Sequence, residues 1–134
     1  MHITLESDYA VRIVHCLATT RERLDAKRIA EETGVTLRFS LKILRKLVAC
    51  GIVKSYKGTK GGYELAREPQ DISLAEVIET VEGRYALSRC CCEEQGYECN
   101  RTNPGCSCSF HKVYSEISQM VQEKLEAVKF SSLV

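Results

Sequence analysis

Six of the eight cysteines fall between Cys90 and Cys108, and His111 closes the same segment. The run Cys90-Cys91-Cys92, Cys99, Cys106 and Cys108-Ser109-Phe110-His111 has few aliphatic side chains. It is too short to bury a core of its own. Something other than hydrophobic packing must hold it, and thiolates with an imidazole bind a soft or borderline metal. The chain is thereby constrained to a cysteine-rich loop set between two parts that pack by ordinary means.

The 134 residues suffice for one core and an appended element. Residues Met1 to Asp8 carry no basic region followed by an apolar one, so they do not read as a signal peptide. No apolar run is long enough to span a bilayer. The expected setting is cytoplasmic, with no membrane partner. Thiols stay reduced there, so clustered cysteines point to metal or redox chemistry more than to structural disulfides.

The net charge of +1 conceals a polarity. Residues 1–67 carry 13 Lys/Arg against 7 Asp/Glu, or +6, whereas residues 68–134 carry 6 against 11, or −5. Within 36–67, eight basic residues face one acid, Glu64. A block of this kind is the footprint of a polyanion-binding surface, or else a basic solvated helix face.

Tyr9, Ala10, Ile13, Val14 and Leu17 mark one face of a helix over 6–19, with Ser7 or Asp8 as its cap. Cys16 lies on or beside that face and reads as a buried, inert thiol. Asp25 caps a short helix from Ala26 to Thr33, which Gly34 ends. Thr36 caps a longer one to about Cys50, with Leu37, Leu41, Leu44, Leu47 and Val48 inward. Short helix, glycine turn, longer helix is helix-turn-helix spacing, with an ordinary helical hairpin as the alternative. The first turn, Leu37-Arg38-Phe39-Ser40, would be the end presented to base edges.

The next stretch narrows the choice. Ile52 to Tyr56 and Gly62 to Ala66 read as two strands joined by the turn Lys57-Gly58-Thr59-Lys60-Gly61. A basic hairpin directly after a helix-turn-helix is a wing, able to reach phosphates or the minor groove. The glycines lack the spacing of a nucleotide-binding loop. Ser73-x-x-Glu76 is a capping box for a helix from Leu74 to about Glu82, closed by Gly83. After the cysteines comes a long helix to about Lys129. Phe110, Val113, Tyr114, Ile117, Met120, Val121, Leu125 and Val128 form its apolar stripe. That stripe can dock on its own domain or pair with a second chain, and pairing is the expectation.

These motifs together resemble the Rrf family of bacterial winged-helix regulators, the group that includes the iron–sulfur biogenesis repressor and the nitric-oxide sensor. The residues that carry the resemblance are Leu5 to Arg12, Gly34-Val35-Thr36-Leu37 and Leu47-x-x-x-Gly51-Ile52-Val53. The wing Lys57-Gly58-x-x-Gly61-Gly62-Tyr63-x-Leu65, the cysteine segment and the closing Phe130-Ser131-Ser132-Leu133-Val134 match as well.

The resemblance implies a mainly α fold with a small β-hairpin wing. It implies a winged helix-turn-helix domain over 1–83, a cluster-binding loop over 84–111, and a dimerisation helix with its tail over 112–134. It also implies three cysteines and a histidine around a 2Fe–2S cluster. Cys108 and His111 match the family's Cys-x-x-His and Cys99 the middle ligand. The first ligand is one of Cys90, Cys91 and Cys92, with Cys90 preferred because Arg89-Cys90 looks like the family's Arg-Cys. Cys106 is extra.

Residues 108 and 111 stand three apart at a helix start, where the dipole favours thiolate. Zinc would accept the same donors, and a metal-free thiol switch remains open. The expected partner is a pseudo-palindromic double-stranded DNA operator, bound by a homodimer acting as a repressor. Thr36, Arg38, Phe39, Lys42 and Arg45 on the second helix and Lys57, Thr59 and Lys60 on the wing are the candidate contacts. An enzyme, such as a thiol oxidoreductase, is disfavoured: no Cys-x-x-Cys sits near a βαβ pattern and no nucleophile–base pair is apparent.

Overall fold

The computed structural model describes residues 2–92 and 108–134. Helix α1, Leu5–Thr20, starts earlier than its polar residues suggest, because Thr4 is the cap rather than Ser7 or Asp8. The Thr4 hydroxyl accepts from the Ser7 N–H at 3.2 Å. Ser7 itself is wholly buried, and its hydroxyl donates to Glu82 at 2.6 Å. A tertiary contact thus takes the side chain that local pattern reads as a cap.

Asp25 starts α2, Ala26–Thr33, by accepting from the Arg28 N–H at 2.8 Å. Gly34 ends it at φ +70°, a left-handed turn that suits glycine. Thr36 then caps α3, Leu37–Ala49. Its inner face is Ser40, Ile43, Leu44 and Leu47. The face is rotated from the expected one: Leu37 is 46% exposed and Leu41 half-buried. A helix with eight apolar positions offers two overlapping faces, and packing against α1 and α2 selects between them.

Strands β1, Val53–Tyr56, and β2, Gly62–Leu65, pair antiparallel with Val53 opposite Leu65 and Tyr56 opposite Gly62. Leu24 adds a short third rung, its N–H donating to Tyr63 O at 3.0 Å and its carbonyl accepting from Tyr63 at 2.7 Å. The close approach explains Gly62: a Cβ there would meet Leu24 O at 2.6 Å.

Helix α4, Leu74–Glu82, is capped by Ser73, which accepts from the Glu76 N–H at 3.1 Å. The Glu76 carboxylate pairs with Arg67. Helix α5 runs Ser109–Ala127. The chain then returns to the core: Leu74 N–H donates to Val128 O at 2.9 Å and Phe130 N–H to Ile72 O at 3.1 Å. This antiparallel return brings Phe130, fully buried, into the same hydrophobic core as Ile13, Leu17, Ile43, Leu44 and Ile72. The result is the mainly helical architecture with a small hairpin that the sequence implies. No described helix is long and apolar enough to cross a membrane.

Candidate functional site

With Ile43, Leu44 and Leu47 inside, the other side of α3 carries Arg38, Lys42 and Arg45 to solvent. Thr36 is exposed, its hydroxyl occupied by the cap bond from Phe39 N–H at 3.3 Å. Phe39 is 41% exposed and held edge-on to Tyr9, ring centroids 5.9 Å apart at 76°. The Lys42 ammonium lies 5.9 Å from the Phe39 centroid. Lys42 and Lys46 also reach Glu6 at the start of α1, at 3.3 and 2.8 Å. The hydrogen bond from Lys46, helped by a lesser one from Lys42 and by the charge of both lysines, holds the Glu6 carboxyl below its usual range against the opposing effect of burial.

Lys57, Thr59 and Lys60 stand exposed on the turn between β1 and β2. Gly61 N–H donates to Gly58 O at 2.9 Å and closes that turn. A Cβ on Gly61 would meet Tyr56 O at 2.5 Å, so the wing's tip has no room for a larger residue. Arg23 was not among the residues singled out from sequence. Its guanidinium lies 3.4 Å from the Tyr56 ring centroid, pairs with Glu64 at 3.7 Å and donates to Lys60 O at 3.2 Å. It therefore braces the wing against the turn that precedes α2. The one sequence signal for it was an exposed tyrosine opposite glycine in the hairpin, which invites a cationic cover.

The second region is built on the first turns of α5. A short 3-10 turn, Arg89–Cys91, lies against this helix. The ligand atoms of Cys90, Cys91 and His111 all lie within 4.8 Å of one another. Cys90 Sγ is 3.9 Å from Cys91 Sγ and 3.4 Å from Ser88 Oγ. Ser115 Oγ sits 3.4 Å from both Cys91 Sγ and His111 Nε2. Hydrogen bonds from Ser88 first and His111 second bring the Cys90 thiol down to about 7.

Cys92 approaches Ser88 O at 3.8 Å, away from His111. Cys108 is the half-buried N-cap of α5 and stands outside the three-residue group. Cys99 and Cys106 lie outside the described residues. The structure thus places two of the three candidate first-ligand thiols, Cys90 and Cys91, beside His111. Cys16 differs from all of these: burial, then Glu32, pushes its thiol up to about 11, so it stays protonated near neutral pH.

Helix α5 packs on α4 through a polar face. Ser118 accepts from Leu87 N–H at 2.8 Å, and Gln122 donates to Glu79 at 2.5 Å. Phe110, Val113, Ile117 and Met120 remain 38–63% exposed.

A helix-turn-helix followed by a braced basic hairpin, with a Cys/His group at the foot of a long C-terminal helix, defines a winged-helix transcriptional regulator. The family model described as "Rrf2: Iron-dependent Transcriptional regulator" matches residues 3–134, and the chain belongs to that family. It is 30% identical over 120 residues to an rrf2-like HTH-type regulator of Rhodobacter capsulatus, covering 86% of this chain and 80% of that protein. Its fold is similar to CymR (YrzC), the global cysteine regulator of B. subtilis, at TM-score 0.79 and 22% identity over 99% of this chain and 95% of that one. It is also similar to T. potens IscR, at TM-score 0.76 and 23% identity over 99% and 85% of the two chains. At those identities the structural likeness is one of fold. The family and relatives are transcriptional regulators, not enzymes.

Proposed function

We propose that this regulator is a homodimeric repressor whose affinity for a pseudo-palindromic DNA operator is set by an iron–sulfur cluster, with 2Fe–2S the expected type. The observation that carries the reading is the convergence of Cys90, Cys91 and His111 at the first turn of α5. Two thiols and an imidazole are donors that iron–sulfur clusters accept, and the family description names iron dependence. Cys90 or Cys91, Cys108 and His111 would hold the group together with Cys99. When bound, the cluster would supply iron–ligand bonds that break on oxidation or damage.

This chain's own residues couple that event to DNA. Ligation would tie the 89–91 turn to the start of α5. The exposed stripe Phe110, Val113, Ile117 and Met120 runs from that same turn at 3-4-3 spacing, the pattern of a helix seam. A second copy of α5 is the occupant that fits it. Two α3 helices would then enter successive major grooves, with Arg38 toward bases and Lys42, Arg45, Lys57 and Lys60 toward phosphates. Shifting the first turns of α5 changes the spacing between the two α3 helices, and so the operator affinity. By linkage, DNA must change cluster affinity by the same factor.

Anaerobic reconstitution tests this. Visible absorbance with matching iron and sulfide, and an operator affinity that changes when the cluster is removed, are expected. A wild-type chain that takes up only zinc sinks the cluster reading. A chain that binds no metal, but changes affinity on mild oxidation, would favour a thiol switch. That second reading draws on the Cys90 thiol at about 7, 3.9 Å from Cys91.

A further inference from the structure

Glu6 does something that neither helix propensity nor core packing requires. It sits in the first turn of α1, where any carboxylate favours the helix dipole. Its side chain does not stay there. One oxygen, Oε1, accepts from Lys46 Nζ at 2.8 Å and lies 3.3 Å from Lys42 Nζ, both on α3. The lysines are 37% and 56% exposed, so the pair is a surface one and adds little to fold stability.

We propose that Glu6 is an internal stand-in for a DNA phosphate, holding Lys42 and Lys46 in the free protein and so limiting the affinity with which α3 takes up duplex DNA. This rests on the reading of α3 as the DNA-contacting helix. The chemistry offered is the same on both sides: one anionic oxygen at hydrogen-bond distance from two ammonium groups. Lysine suits such an exchange, because its compact charge sits on a flexible stem with three rotatable donors.

The carboxylate is also held in place. Glu82, at the end of α4, accepts from Thr4 N–H at 2.9 Å and from Ser7 O–H at 2.6 Å, pinning the first turn of α1. Glu6 is therefore presented to α3 by a fixed backbone. Its neighbour Asp8 is engaged elsewhere, with Arg12 at 2.7 Å. Duplex DNA must displace Glu6 from the lysines or bind without them, and either route weakens binding.

The test measures binding to a random-sequence duplex across a salt series. Glu6→Gln keeps the size and the hydrogen-bonding ability but removes the charge. It should tighten binding about 1.5- to 5-fold at low salt, the range of one exposed ion pair. The log–log salt slope should steepen by about 0.9 for each lysine newly engaged with a phosphate. Glu6→Ala should behave alike, and circular dichroism confirms that each variant folds. The deciding comparison places both changes in a Lys42→Ala/Lys46→Ala background, where the gain should vanish. A gain of the same size there means that Glu6 merely repels the duplex, and the proposal falls. No gain in the native background also overturns it, while leaving the α3 reading intact. If the double lysine variant binds as tightly as the native chain, the two lysines take no part in binding and the proposal falls, while the α3 reading is decided separately by whether Arg38→Ala loses affinity.

Discussion

Helices α3 and α5 are amphipathic in opposite senses. Helix α3 buries Ile43, Leu44 and Leu47 in its own domain and turns cations outward. Helix α5 buries Ser118 and Gln122 and leaves Phe110, Val113, Ile117 and Met120 exposed. The apolar side of α3 is satisfied within one chain, so its exposed face is free to be polar and to meet a polyanion. That of α5 is not satisfied within the described residues, and water is a poor neighbour for four large side chains along one stripe. Thus α3 is finished as a folding unit and exposes chemistry, while α5 is unfinished and exposes surface.

The sharpest way to break this contrast is to charge the α5 stripe. Ile117→Glu with Met120→Glu should give a folded monomer, read by sedimentation, since charge in an apolar seam is costly. Operator affinity should fall about 100-fold or more as the two half-sites lose their linkage. A folded variant that still sediments as a dimer would place the contact elsewhere and remove the distinction.

Next in size come the proposed ligands at the foot of α5. Cys108→Ala or Cys99→Ala should abolish iron and sulfide uptake. Cys90→Ala and Cys91→Ala should each retain some, because the two sulfurs lie 3.9 Å apart and both lie within 4.8 Å of the His111 nitrogen. His111→Ala should leave a labile cluster of shifted potential. Full iron and sulfide in both Cys99→Ala and Cys108→Ala would show this ligand set to be wrong.

On α3, Arg38→Ala should cost about 1–3 kcal/mol of discrimination between operator and random DNA, as an arginine on guanine does. An equal loss on both duplexes would make Arg38 a phosphate contact. The smallest effects belong to the wing. Lys57→Ala and Lys60→Ala should each flatten the salt slope by about 0.9 without altering specificity. Arg23→Ala should lower stability by about 0.5–1 kcal/mol through the lost Tyr56 stack, measured by thermal melting. A steeper loss of DNA affinity than of stability would mark Arg23 as a contact rather than a brace.

Much of this architecture was legible because its signals are local. Asp25, Thr36 and Ser73 each cap the helix that their position announces. The hairpin follows from its glycines, and Gly61 and Gly62 stand where a Cβ would collide with backbone. The errors arose where a side chain serves a distant partner. Ser7 reads as a cap but belongs to Glu82, 75 residues away. Leu37 reads as core but faces solvent, because its helix had two faces to choose from. In the cysteine group, sequence offered three neighbouring thiols and favoured Cys90 only through the resemblance of Arg89-Cys90 to the family's Arg-Cys. Only the 3-10 turn over 89–91 puts Cys90 and Cys91 at His111 and leaves Cys92 near Ser88.

The sequence by itself determined the order of elements, the basic half and the family, since capping, periodicity and turn chemistry act over a few residues. Tertiary structure alone decided which face of α3 looks outward, that Arg23 braces the wing, and that Phe130 returns from the far end to fill the core. It also decided that Glu6 meets Lys42 and Lys46. Those contacts join residues 33 to more than 100 positions apart, and their energies exist only once the helices are packed side by side.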